Sequence, residues 1–340
     1  MRKIVILPFD DKPITVMYHN IAFPMGIIQG NAKTDLIPWL CGKYINCYFD
    51  PKSPQNKFNI CISDNWTIID KIIFKQSIAI DRELFSDLHF DILTLLRKML
   101  SYGHYVHGNC NEEFIPGKYS YQKAYFPHDF LLIGYNDISK CFSSVGYLND
   151  GYFQRYEIPY ENMLNSMITM KRERFEFNFR TYNQDAEYSI NLELIKEGLT
   201  DYIKSENTLK QYQGDKSYGL ESLKTLSEFF IQQAEQNKRI DNRYTRGLME
   251  HKYFMRLRID YLLQNGYIND ESYLGLTQEV YNISERIHML GLKINMTGNI
   301  SPIHKIHEYI TIMNSIENEY LPKVLRELEN HINCKSEAVV

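Results

Sequence analysis

The spacing of apolar residues changes character near residue 185, and that change divides the chain into a mixed first part and a helical second part. In the first part, "KFNICIS" at 57–63 and "KIIFKQSIAI" at 71–80 carry the β-branched and aromatic residues of strands. "FSDLHFDILTLLRKMLSYG" at 85–103 repeats apolar residues at three- and four-residue steps, which predicts a helix closed by Gly103. Four short runs follow, "HYVHGNC", "HDFLLIGYND", "KCFSSVGYLNDG" and "YFQRYEIPY". Turn residues at Pro116-Gly117, Asn136-Asp137 and Asn149-Asp150-Gly151 separate them, so they predict an antiparallel meander. "RERFEFNFR" at 172–180 alternates strictly, with Phe175, Phe177 and Phe179 on one face of a strand that closes or extends the same sheet. Upstream, 13–49 mixes its spacing and is broken by Pro24 and the Gly30-Asn31 pair, predicting one or two short helices packed on the sheet.

Beyond residue 185 every apolar run has helical spacing: 191–203, 218–237, 243–266, 271–298 and 301–332. In 243–266, Leu248, Phe254, Met255, Ile259 and Leu262 form a core-facing stripe and Gly266 supplies the stop. The pattern predicts an α+β fold with a first domain over 1–185, a helical domain over 186–335 and a frayed tail.

Composition narrows the partners. The 38 basic and 42 acidic residues give a net charge of -4, which supplies no general field for a phosphate backbone and argues against nucleic acid. No segment approaches the roughly 20 apolar residues of a membrane-spanning helix, and the N-terminal apolar run meets Asp10 and Asp11 too early for a signal peptide. The six cysteines, Cys41, Cys47, Cys61, Cys110, Cys141 and Cys334, form no C-x-x-C pair and no zinc spacing, and read as reduced thiols in a cytoplasmic protein. No phosphate loop, dinucleotide fingerprint or metal motif appears, so no metal or bound cofactor is expected. "EHK" at 250–252 lacks the second histidine of a zinc helix and reads as structural.

The chemistry concentrates at the start of "HDFLLIGYND", where His128 precedes an apolar strand. A rigid strand can hold an imidazole there as a general base for a thiol or an amine. The block from Gly103 to Leu164, with His128 followed by "LLIGYND", resembles the papain-like or C39-like cysteine protease superfamily. Within it the resemblance is to the family of the butirosin biosynthesis protein H N-terminal domain, and the helical second part is similar to that of relatives from peptide natural-product clusters. The resemblance implies an antiparallel sheet with packed helices, His128 as base, and an acyl- or peptidyltransferase of natural-product assembly. Such an enzyme moves a thioester chain from the phosphopantetheine arm of an acyl or peptidyl carrier protein to an amine or peptide.

In that family a cysteine at the start of the first helix is the nucleophile, where the helix dipole favours a thiolate. The aligned stretch here, "MYHNIAFPMGII", has His19 or Asn20 at that position, and no cysteine precedes Cys41. Three readings stay open: a degenerate site that binds carrier or peptide without catalysis, transfer without a covalent intermediate with His128 as base, or a relocated thiol. Cys110 is the thiol considered, since antiparallel pairing of "HYVHGNC" with "HDFLLIGY" brings it near His128. The partner that orients His128 is expected at Asp150 or Asn149, and Glu112 and Glu113 of "NEEFIP" are expected at the cleft mouth to meet the amine.

Overall fold

The computed structural model describes residues 3–53, 57–60, 74–81, 91–171, 176–208 and 215–337. Its described residues fall into two compact units: 3–33, 74–81, 91–171 and 176–186 form one, and 34–53, 57–60, 187–208 and 215–337 the other.

The first unit is built on an antiparallel sheet of seven strands: β1 (Ile4–Ile6), β2 (Phe74–Asp81), β3 (Tyr105–Asn111), β4 (Pro127–Asn136), β5 (Cys141–Tyr147), β6 (Phe153–Pro159) and β7 (Glu176–Tyr182). Their order is β2-β7-β3-β4-β5-β6, with β1 pairing on β4. β3 to β6 are consecutive neighbours, the meander that the turn residues predict. The alternating strand β7 extends this sheet on the far side of β3, and its Phe177 and Phe179 are fully buried. Phe175 and the start of the "FSDLHFD" run lie outside the described residues.

Among the described residues three helices accompany the sheet: α1 (His19–Asn31), α2 (Ile92–Ser101) and α3 (Tyr160–Ile168). Asp91 caps α2 through the Thr94 N–H, and Gly103 follows its end at φ +86. Leu96 and Leu100 of α2 and Met163 and Met167 of α3 join Val106, Phe130, Phe142 and Phe177 in one apolar cluster. α1 departs from expectation, because it runs unbroken through Pro24 and Gly30. Pro24 forfeits one internal hydrogen bond, but Ile21, Ala22, Phe23, Met25, Ile27 and Ile28 are fully buried, so packing rather than local propensity decides. A Cβ at Gly30 would lie 2.5 Å from the Phe9 backbone. That glycine lets the segment after β1 press against α1.

The second unit is mainly helical, with long helices over Leu192–Lys204, Gly219–Glu235, Asn242–Gln264, Ser272–Thr297 and Ile303–Glu337. The predicted stripe from Leu248 to Leu262 is buried, and Gly266 takes the left-handed conformation just past its helix. Residues 34–53 and 57–60 also belong to this unit, so the boundary expected near 185 does not enclose one continuous first domain. Their partners explain it. Arg258, fully buried, donates to the carbonyl oxygens of Cys41 and Lys43 at 2.7 Å, and His251 bonds the Ile45 carbonyl at 2.9 Å. The short strand Tyr48–Phe49 pairs with Phe58–Asn59 and Ser217–Tyr218. The "EHK" motif is structural here: Glu250 accepts from Arg246, and Lys252 is ion-paired with Glu317, both fully buried. Among the described residues no helix is long and apolar enough to cross a membrane.

Candidate active site

His19 is the first residue of α1 and His128 the second of β4, and the two rings lie 4.8 Å apart, centroid to centroid. His19, one of the two residues expected at the nucleophile position, therefore stands beside the predicted strand histidine. Asn20 follows in the first turn of α1, half-buried.

The partners of each ring nitrogen fix its protonation. His19 Nδ1 is 2.9 Å from Asp129 Oδ1, an acceptor, whereas its Nε2 accepts from the Tyr147 backbone N–H at 3.4 Å. That pattern is a neutral imidazole with hydrogen on Nδ1. His128 Nδ1 is 2.9 Å from Glu112 Oε1 and its Nε2 is 3.4 Å from Asp129 Oδ1. Two carboxylates around one ring favour an imidazolium, with Nδ1 donating to Glu112 and Nε2 near the Asp129 charge.

The electrostatics follow the same division. Burial lowers the pKa of His19 and outweighs the opposing pull of Asp129. For His128, burial alone would lower it, but the bond to Glu112 and the charges of Asp129 and Glu112 raise it. Asp129 resists its own burial and stays well below the usual carboxylate range because His19, His107 and His128 surround it. Glu112 is likewise held low, despite burial, by His128 and Lys118.

Lys118 completes the cluster. Its buried ammonium donates to the Tyr147 carbonyl at 2.7 Å, lies 3.3 Å from Glu112 Oε1 and sits over the Tyr156 ring. Phe23 and Tyr147 stack on His19, and Phe126 packs against His128 at the exposed side. The His128 side chain is 41% exposed against 4% for His19, so a ligand meets His128 first.

Cys110 is the direct cross-strand partner of His128, as the pairing argument anticipates. Its side chain, however, lies in the apolar cluster with Ile115, Met163 and Met167, and burial together with the Glu112 charge pushes the thiol far above its ordinary range. It is packed as a small hydrophobe and is unsuited to be a nucleophile.

Asp150 and Asn149 do not orient His128. The register pairs Leu131 with Val145, so the β5 residues that return toward His128 and Asp129 are Gly146 and Tyr147. The turn beyond them is exposed, with Asp150 bonded to Tyr152 N–H and Gln154 and the Asn149 N–H bonded to the Gly117 carbonyl. Glu112 takes the orienting role instead, because a single turn of 3-10 helix at Glu112–Phe114 folds it back beneath the ring. It is therefore committed to His128 and Lys118 rather than open to an amine. Glu113 accepts from Asn111 Nδ2 at 3.2 Å and stays out of the cluster.

Asp129, His107, Lys118 and Gly146 are site residues the sequence reading did not single out. The "HD" pair at 128–129 was the available signal for Asp129. His107 faces Asp129 at 3.9 Å and accepts from Arg180 at 3.5 Å.

One nitrogen from each of His19 and His128 and one Asp129 oxygen lie within 4.8 Å of one another, the donor types of a divalent-cation site. Hydrogen bonding already uses these donors, and the nearby Lys118 ammonium opposes a further cation. No family model matches the chain, and no curated protein matches it.

Proposed function

We propose that the protein is an acyl- or peptidyltransferase of the papain-like or C39-like kind, which transfers a chain from a carrier-protein thioester to an amine without forming an acyl-enzyme. One observation carries this reading: the His19 and His128 rings lie 4.8 Å apart, His19 bonded to Asp129 and His128 to Glu112, in surroundings that lower the pKa of the first and raise that of the second. Two titratable groups whose surroundings push them apart are an assigned base and acid.

His19 is the base and His128 the acid, which reverses the role expected for His128. The Asp129 carboxylate orients His19 Nδ1–H, and Nε2 takes a proton from the attacking amine once it gives up its long 3.4 Å contact from the Tyr147 N–H. The amine nitrogen forms its bond to the thioester carbon, the carbon–sulfur bond breaks, and the departing thiolate receives the Nε2 proton of His128. The products are an amide and the free phosphopantetheine thiol. Proximity of acid, base and both substrates supplies the acceleration that a covalent intermediate would otherwise give.

The test is to incubate the protein with carrier loaded with candidate acyl or peptidyl chains plus an amine, and to follow product and intact protein mass. Amide is expected from wild type and from Cys110→Ala, with loss of about 10²–10⁴-fold in His19→Gln and His128→Gln. No acyl-enzyme should accumulate. Absence of product with every loaded carrier would overturn the reading and favour a non-catalytic carrier- or peptide-binding module, to which the lack of an accessible thiol at His128 also points.

A further inference from the structure

The helices Ser272–Thr297 and Ile303–Glu337 of the second unit pack against each other, and an open groove runs along them. It consists of two adjoining cavities of about 750 Å³ and about 390 Å³ that share Asn282, Arg286 and Tyr309. On the first helix the lining extends from Gly275 to Lys293, which at about 1.5 Å per residue is about 27 Å, or about five turns. At Gly275 an added Cβ would meet nothing within 4 Å, so that end is open. Met289 and Ile312, 64% and 40% exposed, stand in the groove beside half-buried Leu290 and Tyr309. Asn282, Arg286, Met289 and Lys293 recur at steps of four, three and four, so one mixed apolar and cationic stripe faces outward.

The charges are unequal. The larger cavity is lined by three cations, Arg286, Lys293 and Lys305, against one carboxylate, Glu285, in a chain whose net charge is -4. The smaller one adds only the Glu279 carboxylate. Lys305 is held by Glu308 at 2.7 Å and Glu285 by the Tyr281 hydroxyl, whereas Arg286 and Lys293 have no ion-pair partner among the described residues.

We propose that this groove docks an acidic amphipathic helix of another protein, its apolar stripe on Met289, Tyr309 and Ile312 and its flanking carboxylates on Arg286 and Lys293. Both walls are helices, so no strand edge is offered to the backbone of an extended segment, whereas a helix arrives with its backbone bonds already made. A channel about five turns long and open at its end matches that shape better than a compact ligand. The two unpaired cations select the sign of the partner's flank. Every lining residue belongs to the second unit, and the docking surface stands apart from the reaction proposed above.

The probe is a fluorescein-labelled peptide of about 18 residues, Ala-based, with Leu at steps of three and four and Glu on both flanks. Fluorescence anisotropy gives its affinity for the full chain. Saturable binding is expected, with amide shifts in labelled protein centred on 275–293 and 305–312. Arg286→Glu combined with Lys293→Glu should weaken it by about tenfold or more, as should Met289→Asp combined with Ile312→Asp. All four side chains are exposed, so the melts of both variants should match wild type. A peptide with Lys in place of Glu should bind at least about tenfold more weakly, and a scrambled peptide of the same composition should lose binding altogether. The proposal is overturned by equal affinity for the scrambled peptide, by affinity that the double charge reversal leaves untouched, or by no saturable binding of the Glu peptide. Sedimentation of the free protein decides the remaining occupant. A monomer is expected, and a dimer that the charge reversal dissociates would assign the groove to a second copy of this chain instead.

Discussion

Cys110 and His128 are direct partners across β3 and β4, yet the thiol is sealed in the apolar cluster while the imidazole rests on Glu112. Backbone adjacency in a sheet does not make a catalytic pair unless both side chains reach the same solvent-accessible space. The consequence is measurable. In native protein a thiol reagent should label exposed Cys334 quickly and leave Cys110 unmodified, as read by peptide mass mapping. Cys110 should react only after unfolding in denaturant. Native labelling of Cys110 at the rate of Cys334 would restore the relocated-thiol reading.

The opposed shifts of the two histidines set a pH window. His19 must be neutral and His128 protonated, so transfer should rise with pH through the lowered value of His19 and fall through the raised value of His128. Both limbs flank 6.5, the ordinary histidine value. The groups facing the pair are Asp129, His107, Glu112 and Lys118; the two carboxylates are held below their ordinary values and the Lys118 ammonium above its own. Stability has the matching signs. The His128 contribution is fully present below 6.5 and is lost as pH rises through its raised folded value. The His19 contribution is present above 6.5 and is lost as pH falls through its lowered folded value. A kcat profile with both limbs on the same side of 6.5 would contradict the assignment.

Glu112→Gln separates the acid from its support. The amide still accepts from His128 Nδ1–H but carries no charge, so the His128 titration, followed by NMR, should move to lower pH. The alkaline limb of the transfer profile should move with it. Removing the carboxylate also leaves the buried Lys118 with one fewer charged partner, and a loss of about 1–3 kcal/mol in denaturant unfolding is expected. An unmoved His128 titration would show that Asp129 alone holds its proton.

The meander, the helix closed at Gly103 and the helical second half are legible because hydrophobic period and turn chemistry are local signals. His19 and His128 were legible too, one from the place of a missing thiol and one from its strand start. What escaped depends on register. Gly146 and Tyr147 reach His19, whereas Asn149 and Asp150 do not, because the β4–β5 register shifts by one residue between Leu132 and Gly134 and the turn at 149–150 is exposed. Glu112 was visible as an acid near the cleft, but its inward turn at Glu112–Phe114 is a tertiary result, as is the packing of residues 34–53 and 57–60 into the second unit.

Gly30 and Gly275 should respond oppositely to alanine. At Gly30 a Cβ would meet the Phe9 backbone at 2.5 Å, and backbone cannot move aside cheaply, so Gly30→Ala is expected to destabilise by about 1–3 kcal/mol. Gly275 lies in the helix Ser272–Thr297 with nothing within 4 Å of an added Cβ. Gly275→Ala should therefore stabilise by up to about 1 kcal/mol through helix propensity. Denaturant midpoints of the two variants check both signs, and a neutral Gly30→Ala would mean that the Phe9 segment is free to leave α1.

Lys252 and Glu317 form an ion pair at 2.7 Å with both side chains fully buried, and Tyr202 donates to the same carboxylate oxygen. The second Glu317 oxygen is buried without a hydrogen-bond partner among the described residues. Such a pair is weak evidence of net stability, because two ions have been taken out of water, but breaking it is costly. Lys252→Met should destabilise by about 3–5 kcal/mol, since it strands the carboxylate in an apolar interior. The double variant Lys252→Met, Glu317→Leu should recover most of that loss, because no charge is then left unpaired. A double variant as unstable as the single one would mean that the pair, with Tyr202, is needed to hold these helices in place for reasons other than charge balance.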